Sequence, residues 1–356
     1  MNSWGSNIRV SIFGESHGEG IGVVIDGLPG GIKLDMGKIN REMERRAPGR
    51  SSISTSRSEA DSVEILSGFV NGMTTGTPIA GVIRNTNTIS KHYEKDLIRP
   101  GHADYTGFTK YGANHDYRGG GHFSGRITAP LVFAGAIAKQ VLEAEGVYVG
   151  AHILKIKDVS DRGFDYAKVT AEEIKKLTQK SFPVFDEAQG DLMKKVIADA
   201  KMNKNSVGGM VECAVVGMPP GKGSPFFGSV ESRLSSMMYS IPAVKGVAFG
   251  AGGAFADMFG SEANDEFYCE NGVIKTYTNN NGGINGGITN GMPVIFKTVI
   301  KPTASIALKQ RTVDISKMEN TEIEIHGRHD PCIVHRGAIV VENAAALVML
   351  DVLYDR

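Results

Sequence analysis

The 356-residue chain has only three cysteines, Cys213, Cys269 and Cys332, an odd number without metal-ligand spacing. That argues against a disulfide framework or a metal site and for a reducing compartment, the cytoplasm. No run approaches the roughly eighteen apolar residues of a membrane span, so no membrane partner is expected. The start, Met1-Asn2-Ser3-Trp4-Gly5, lacks the charged and apolar regions of a signal peptide. Neither sign of charge is in excess, with 39 basic residues against 39 acidic. A general nucleic-acid partner needs a basic footprint and is not expected. Linkers, charge blocks and low-complexity tracts are missing too, which favours one domain over residues 1–356.

Glycine, by contrast, is abundant: 45 residues, against a usual share of about 7%. Much of it lies in tight clusters, as expected of turns and of backbone that approaches a ligand closely. Phe13-Gly14-Glu15-Ser16-His17-Gly18 sets an imidazole among small residues after the strand-like run Ile8–Ile12. Such a histidine can exchange a proton near neutral pH. Arg99-Pro100-Gly101-His102-Ala103-Asp104 and Gly327-Arg328-His329-Asp330-Pro331-Cys332 have the same make-up. Three such turns, far apart in the chain, suggest one site assembled by the fold. Gly14–Gly18 also matches the nucleophile elbow of serine hydrolases, but that elbow requires a helix after the serine. Here Gly20–Gly27 reads as a second strand, so a hairpin-like turn presenting Ser16 and His17 is expected. The glycine spacing fails the dinucleotide fingerprint for the same reason.

The periodicities predict strands over 8–34, 62–70, 78–84, 151–159, 207–217, 244–249, 293–300 and 322–326. Asp35 is expected to cap a helix running to Arg46, with Ile39 and Met43 on its buried face. A helix follows Thr128, two Lys- and Glu-rich helices lie at 171–180 and 187–201, and a short one lies near 229–238. The last helix, 338–353, is apolar all round and should be buried. Residues 99–126 read as a long irregular stretch whose aromatic content speaks against disorder. Turn-joined strands followed by a long helix occur before residue 150 and again after 206, hinting at a duplicated plan.

Arginines cluster beside glycine and serine: Arg45, Arg46, Arg50 and Arg57, then Arg99, Arg118, Arg126, Arg328 and Arg336. Guanidinium forks bind phosphate and carboxylate through paired charge-assisted hydrogen bonds, so a small ligand with several anionic groups is expected. Asn279–Gly291 offers bare backbone amides and Lys301-Pro302-Thr303-Ala304-Ser305 offers a cation and hydroxyls, a generic phosphate cradle.

Taken in order, these segments resemble the chorismate synthase family: the Gly14–Gly18 turn, Arg45–Pro48, Val63–Gly68, Thr74–Thr77, Arg99–Asp104, Asp116–Gly121, Gly282–Gly291, Lys301–Ser305 and Arg328–Cys332. The resemblance covers nearly the whole chain. It implies an α+β fold, a single-domain β-α-β sandwich with a helical core between antiparallel sheets, and a homotetramer. It implies conversion of 5-enolpyruvylshikimate 3-phosphate to chorismate and phosphate with reduced FMN, the last step of the shikimate pathway. NADPH enters only if the enzyme reduces its own flavin. By the same resemblance His17 serves the departing phosphate, His102 sits near flavin N1, and Asp330 manages the N5 proton, with Ser16 a candidate relay. Arg46, Arg50, Arg57, Arg99 and Arg126 would hold substrate. Ser124, Pro242, Ala243, Gly286, Lys301, Pro302, Thr303, Ala304, Ser305 and Arg328 would hold FMN. The chain departs from the family pattern at Ala47 and at His122-Phe123. Two rivals remain at this stage, a serine hydrolase using Ser16 and a non-catalytic module that binds a phosphorylated metabolite or RNA.

Overall fold

The structure, a computed structural model, describes residues 1–47, 61–86, 94–325 and 329–355. Its first half runs β1 Ser3–Trp4, β2 Arg9–Gly14, β3 Gly20–Asp26, α1 Met36–Arg46, β4 Val63–Ser67, β5 Phe69–Val70, β6 Met73–Thr74, β7 Ile79–Arg84, α2 Asp104–Tyr111 and α3 Thr128–Ala144. The second half begins β8 Tyr148–Ile156, β9 Val159–Ser160, α4 Ala171–Thr178, α5 Glu187–Met202, β10 Gly209–Val216, α6 Val230–Ser240, β11 Val244–Phe249 and α7 Gly260–Ala263. Small hairpins β12 Phe267–Glu270 with β13 Val273–Thr276, and β14 Ile284–Asn285 with β15 Ile288–Thr289, lead to β16 Val294–Ile300. A last hairpin, β17 Gln310–Asp314 with β18 Glu319–Ile323, precedes α8 Val334–Leu353.

Two antiparallel sheets, ordered β1-β2-β3-β7-β4 and β11-β16-β10-β8-β9, enclose a layer of helices. In that layer α3 packs on β3 and β7, α8 packs on β8 and β10, and the two helices form the most extensive helix pair. Both are apolar on every side because each meets a sheet and another helix. Gly125–Ala144 is long and apolar enough to cross a membrane, yet 83% of its most apolar window is buried inside the fold, as for a core helix. Gly135 lets α3 and α8 approach: a Cβ there would lie 2.3 Å from the Asn343 carbonyl oxygen.

The plan is duplicated, but the second copy begins at β8 rather than after residue 206. β2-β3-α1-β4-β7-α3 and β8-β10-α6-β11-β16-α8 place their four main strands in the same order, all antiparallel. The likeness extends to single bonds. After β3, Thr74 Oγ1 donates to Pro29 O (2.7 Å) and accepts from Ile32 N (3.0 Å). After β10, Thr289 Oγ1 donates to Pro219 O (2.7 Å) and accepts from Lys222 N (3.0 Å). Gly27 and Gly217 open the two clasps with φ of 93° and 90°, a conformation that favours glycine.

One neutral ionic quartet lies inside the helical layer. Arg45 and Lys139 both pair with Glu42 and Glu342, and Glu42 also accepts from Asn343 Nδ2 (2.9 Å). Burial alone would raise the Glu42 carboxyl, but Lys139 and Arg45 hold it down at about 2. Arg45 therefore turns into the core, away from Arg46. At the other end of α8, Asp351 Oδ1 accepts from three successive amides, Ser6 N (3.0 Å), Asn7 N (2.6 Å) and Ile8 N (2.8 Å).

Several expectations shift. Residues 99–126 contain α2 and short 3-10 turns at 112–114, 118–123 and 125–127. Alpha-2 has no side-chain N-cap bond and carries Gly107, so its sequence gives little helical signal. The strand expected at 322–326 lies at Glu319–Ile323, and its partner β17 was not anticipated. Alpha-8 starts at Val334 rather than 338 and so includes Gly337, a poor helix former that is needed where the helix backbone meets Ile300: a Cβ would lie 2.5 Å from Ile300 Cδ1.

Candidate functional site

Equivalent junctions of the two halves meet at one end of the sandwich. From the first half come the β2–β3 turn, the end of α1, Asp61 before β4, Asn85 after β7, and the stretch leading into α3. From the second come the α6–β11 junction, the segment after β16, and the start of α8. The first turn joins two strands, as the sequence implied, so Ser16 is no nucleophile elbow. Ser16 is fully buried; its Oγ lies 3.2 Å from His17 Nδ1 and donates to Arg118 O at 3.3 Å.

The glycine run Gly119-Gly120-Gly121 brings the two candidate histidines to one place. All three glycines have positive φ. A Cβ on Gly119 would lie 2.0 Å from His17 Cε1, and one on Gly120 would lie 3.2 Å from His102 Nε2. His122 Nδ1 donates to Gly14 O (2.8 Å), so this departure from the family pattern ties the glycine run to the first turn.

His102 Nδ1 lies 2.6 Å from Asp104 Oδ1. That carboxylate also accepts from Arg99 Nε (2.7 Å) and Nη2 (2.7 Å). Burial would raise the Asp104 carboxyl, but hydrogen bonds from Arg99 and His102 outweigh it and hold it well below the usual range. An ionised Asp104 keeps the proton on His102 Nδ1, leaving Nε2 toward Gly120. Arg99 Nη1 reaches Ser305 Oγ at 3.5 Å and Lys301 Nζ donates to Gly101 O, so the Lys301–Ser305 cradle backs the His102 turn. Lys301 N donates to Ala243 O (2.9 Å), and Ala243 has φ +74°. Pro242 and Ala243 thus join the same wall. Ser124 Oγ accepts from Arg126 N (3.3 Å), and its Cβ lies 3.8 Å from the Cβ position at Gly120.

Arg46 and Arg126 share one buried carboxylate. Arg46 Nε donates to Asp61 Oδ2 at 2.8 Å and its Nη2 bonds the same oxygen, while Arg126 Nη1 bonds Oδ1. Arg126 Nε donates to Asn85 Oδ1 (3.2 Å), and Asn85 Nδ2 donates to Glu15 O and Gly18 O, both at 2.9 Å. Asp330 forms an ion pair with Arg336 in the first turn of α8, a partner that the local sequence did not suggest. Beside it, burial and then the Arg99 charge push the His329 imidazole down to about 4, so it is neutral.

Gly286 stands apart. Its hairpin bonds the start of α6 through Val230 N to Gly287 O (3.0 Å), whereas Pro242 and Ala243 follow the end of that helix. Eleven helical residues span about 16 Å. Gly286 is therefore at the far end of the sandwich from Lys301–Ser305. Arg50, Arg57 and Arg328 lie outside the described residues. Sequence reasoning gave no role to Asp61, Asn85, Asp104 or His329. Asp104 and His329 sit inside turns that it singled out; Asp61 and Asn85 carry no local signal.

Imidazoles facing one glycine turn beside carboxylate-bound guanidiniums define an enzyme of acid–base type for a small anionic molecule. A family model described as chorismate synthase matches residues 8–354. Chorismate synthases of Methanothermobacter thermautotrophicus and Pyrococcus abyssi are 44% and 46% identical to the chain, over 98% and 99% of it and 93% and 97% of their own lengths. A crystal structure of chorismate synthase superposes with a TM-score of 0.77 at 28% identity, covering 98% of this chain and 92% of that one. The chain belongs to the chorismate synthase family. It is accordingly a lyase of aromatic amino acid biosynthesis.

Proposed function

We propose that this site carries out the family's reaction, the anti 1,4-elimination of phosphate from 5-enolpyruvylshikimate 3-phosphate to give chorismate. The observation that carries the reading is the convergence of His17 and His102 on Gly119-Gly120, beside the Arg46–Asp61–Arg126 group. The arginines hold the phosphate and carboxylates of the substrate. His17 donates a proton or hydrogen bond to the departing phosphate. Asp104 holds His102 with its Nε2 toward the glycine turn, and the bare glycines let both rings pack against one turn. Asp330, paired with Arg336, takes the proton released from C6. General acid–base help of this kind is worth about two to four orders of magnitude per group.

The cradle fits reduced FMN. Thr303 Oγ1 is buried with no hydrogen-bond partner among the described residues, a donor that a phosphate oxygen would satisfy. Lys301, Thr303, Ser305, Ala243 and Ser124 would hold the cofactor. When bound, reduced FMN supplies the electron density that lets an unactivated C–H bond break. NADPH has a role only if the enzyme reduces its own flavin. The chain acts as one catalytic unit in the cytoplasm and assembles with copies of itself, as a homotetramer. That assembly gives Gly286 a place, since it can reach a cradle only on another copy. The test is an anaerobic assay with chemically reduced FMN and the enolpyruvyl substrate. Chorismate release supports the reading, and wild-type enzyme that forms none overturns it.

A further inference from the structure

Two side chains outside the family reading organise the site. Asp61 is 4% exposed, and the two guanidiniums it joins, those of Arg46 and Arg126, are 3% and 6% exposed. Two like charges brought together away from water repel strongly unless a counter-charge lies between them. Asp61 meets that need with both oxygens, one toward each arginine. Its one negative charge lies between the two positive ones, and it fixes the plane of each fork. Asn85 continues the chain of contacts. Its Oδ1 accepts from Arg126 Nε and its Nδ2 bridges the carbonyls of Glu15 and Gly18, which bracket Ser16-His17.

We propose that Asp61 and Asn85 are positioning residues with separate tasks: Asp61 aligns Arg46 and Arg126 for the anionic groups of the substrate, and Asn85 sets the distance from those arginines to His17. This inference rests on the reading of the site given above. Asp61 acts on binding. Asn85 acts on the chemical step, where a misplacement of about 1 Å can cost about 100-fold.

The test measures binding and turnover separately in the full chain. Calorimetry without flavin gives dissociation constants for the enolpyruvyl substrate and for inorganic phosphate, and anaerobic single turnover with reduced FMN gives the phosphate-release rate. Asp61→Asn should bind the substrate about tenfold more weakly, the loss of an oriented charged hydrogen bond, yet bind inorganic phosphate no more weakly, because positive charge has been added. Asp61→Glu keeps the charge but moves the carboxylate, and should weaken substrate binding with a melting temperature near wild type. Asn85→Ala should bind substrate within about twofold of wild type and release phosphate at least about tenfold more slowly. Equal losses for both ligands in Asp61→Asn, or unchanged substrate affinity, would overturn the role of Asp61. Normal release by Asn85→Ala would overturn that of Asn85. Wild-type protein that binds substrate but forms no chorismate would instead defeat the reaction assignment and leave the Asp61 test standing.

Discussion

His17 and His102 each face a separate glycine of one turn, in polar surroundings rather than in the packed core. Removing either ring opens no hydrophobic cavity. His17→Ala and His102→Ala should therefore melt near the wild-type temperature while turnover falls by about two to four orders of magnitude. A melting point many degrees lower would mark the rings as structural. Asp330→Asn separates two roles in the same way. If Asp330 takes the C6 proton, the variant binds FMN and substrate nearly as well as wild type and loses about two to four orders of magnitude in turnover. If its main task is the ion pair with Arg336, it fails through lost FMN affinity, and a flavin titration reads the difference.

At the scale of elements, the α3–α8 contact makes the clearest demand. Alanine is normally about 1 kcal/mol better than glycine inside a helix. Gly135→Ala, however, would drive a methyl group against the Asn343 backbone. We expect a net loss of about 1–3 kcal/mol in urea unfolding, and a gain would show that the helices can part. The start of α8 also predicts a pH dependence. Burial and then the Arg336 charge lower His335 to about 4, below the ordinary imidazole value of 6.5. Between those values the unfolded chain binds the extra proton, so this histidine's contribution is full above about pH 6.5 and declines as pH falls toward about 4. His335→Gln removes the titrating ring. The stability gap between pH 7 and pH 4.5 should narrow in the variant, and an equal gap in both proteins would count against a neutral buried ring.

Considered as a whole, the molecule shows which parts its sequence could announce. The hairpin, the Asp35 cap, the buried last helix and the histidine turns were legible because glycine, caps and apolar periodicity act locally. Asp61 and Asn85 were not, since the arginine that they share, Arg126, lies 65 and 41 positions further along the chain. The duplication was only hinted at, because little more than Gly-x-Pro and one threonine survives in each clasp. The proposed assembly rests on the resemblance. Phe226, Phe227, Phe259 and Phe267 are each at least 69% exposed, an apolar set that suits burial between copies. Sedimentation should show an oligomer, and Phe227→Asp should shift it toward smaller species and weaken FMN binding together. Unchanged FMN affinity in a dissociated variant would mean that one copy holds the flavin alone.

The order of synthesis conflicts with this architecture. Alpha-8 is made after every other described element, yet it packs between α3 and the second sheet, and its Asp351 fastens the amides of residues 6–8. A nascent chain can form hairpins and helices while it is being made, but its centre stays open until α8 has emerged. Emergence of α8, rather than of either half without it, should therefore be the moment at which this fold closes. A chain stalled or cut before Val334 should expose the apolar face of α3 and be drawn to chaperones or into aggregates.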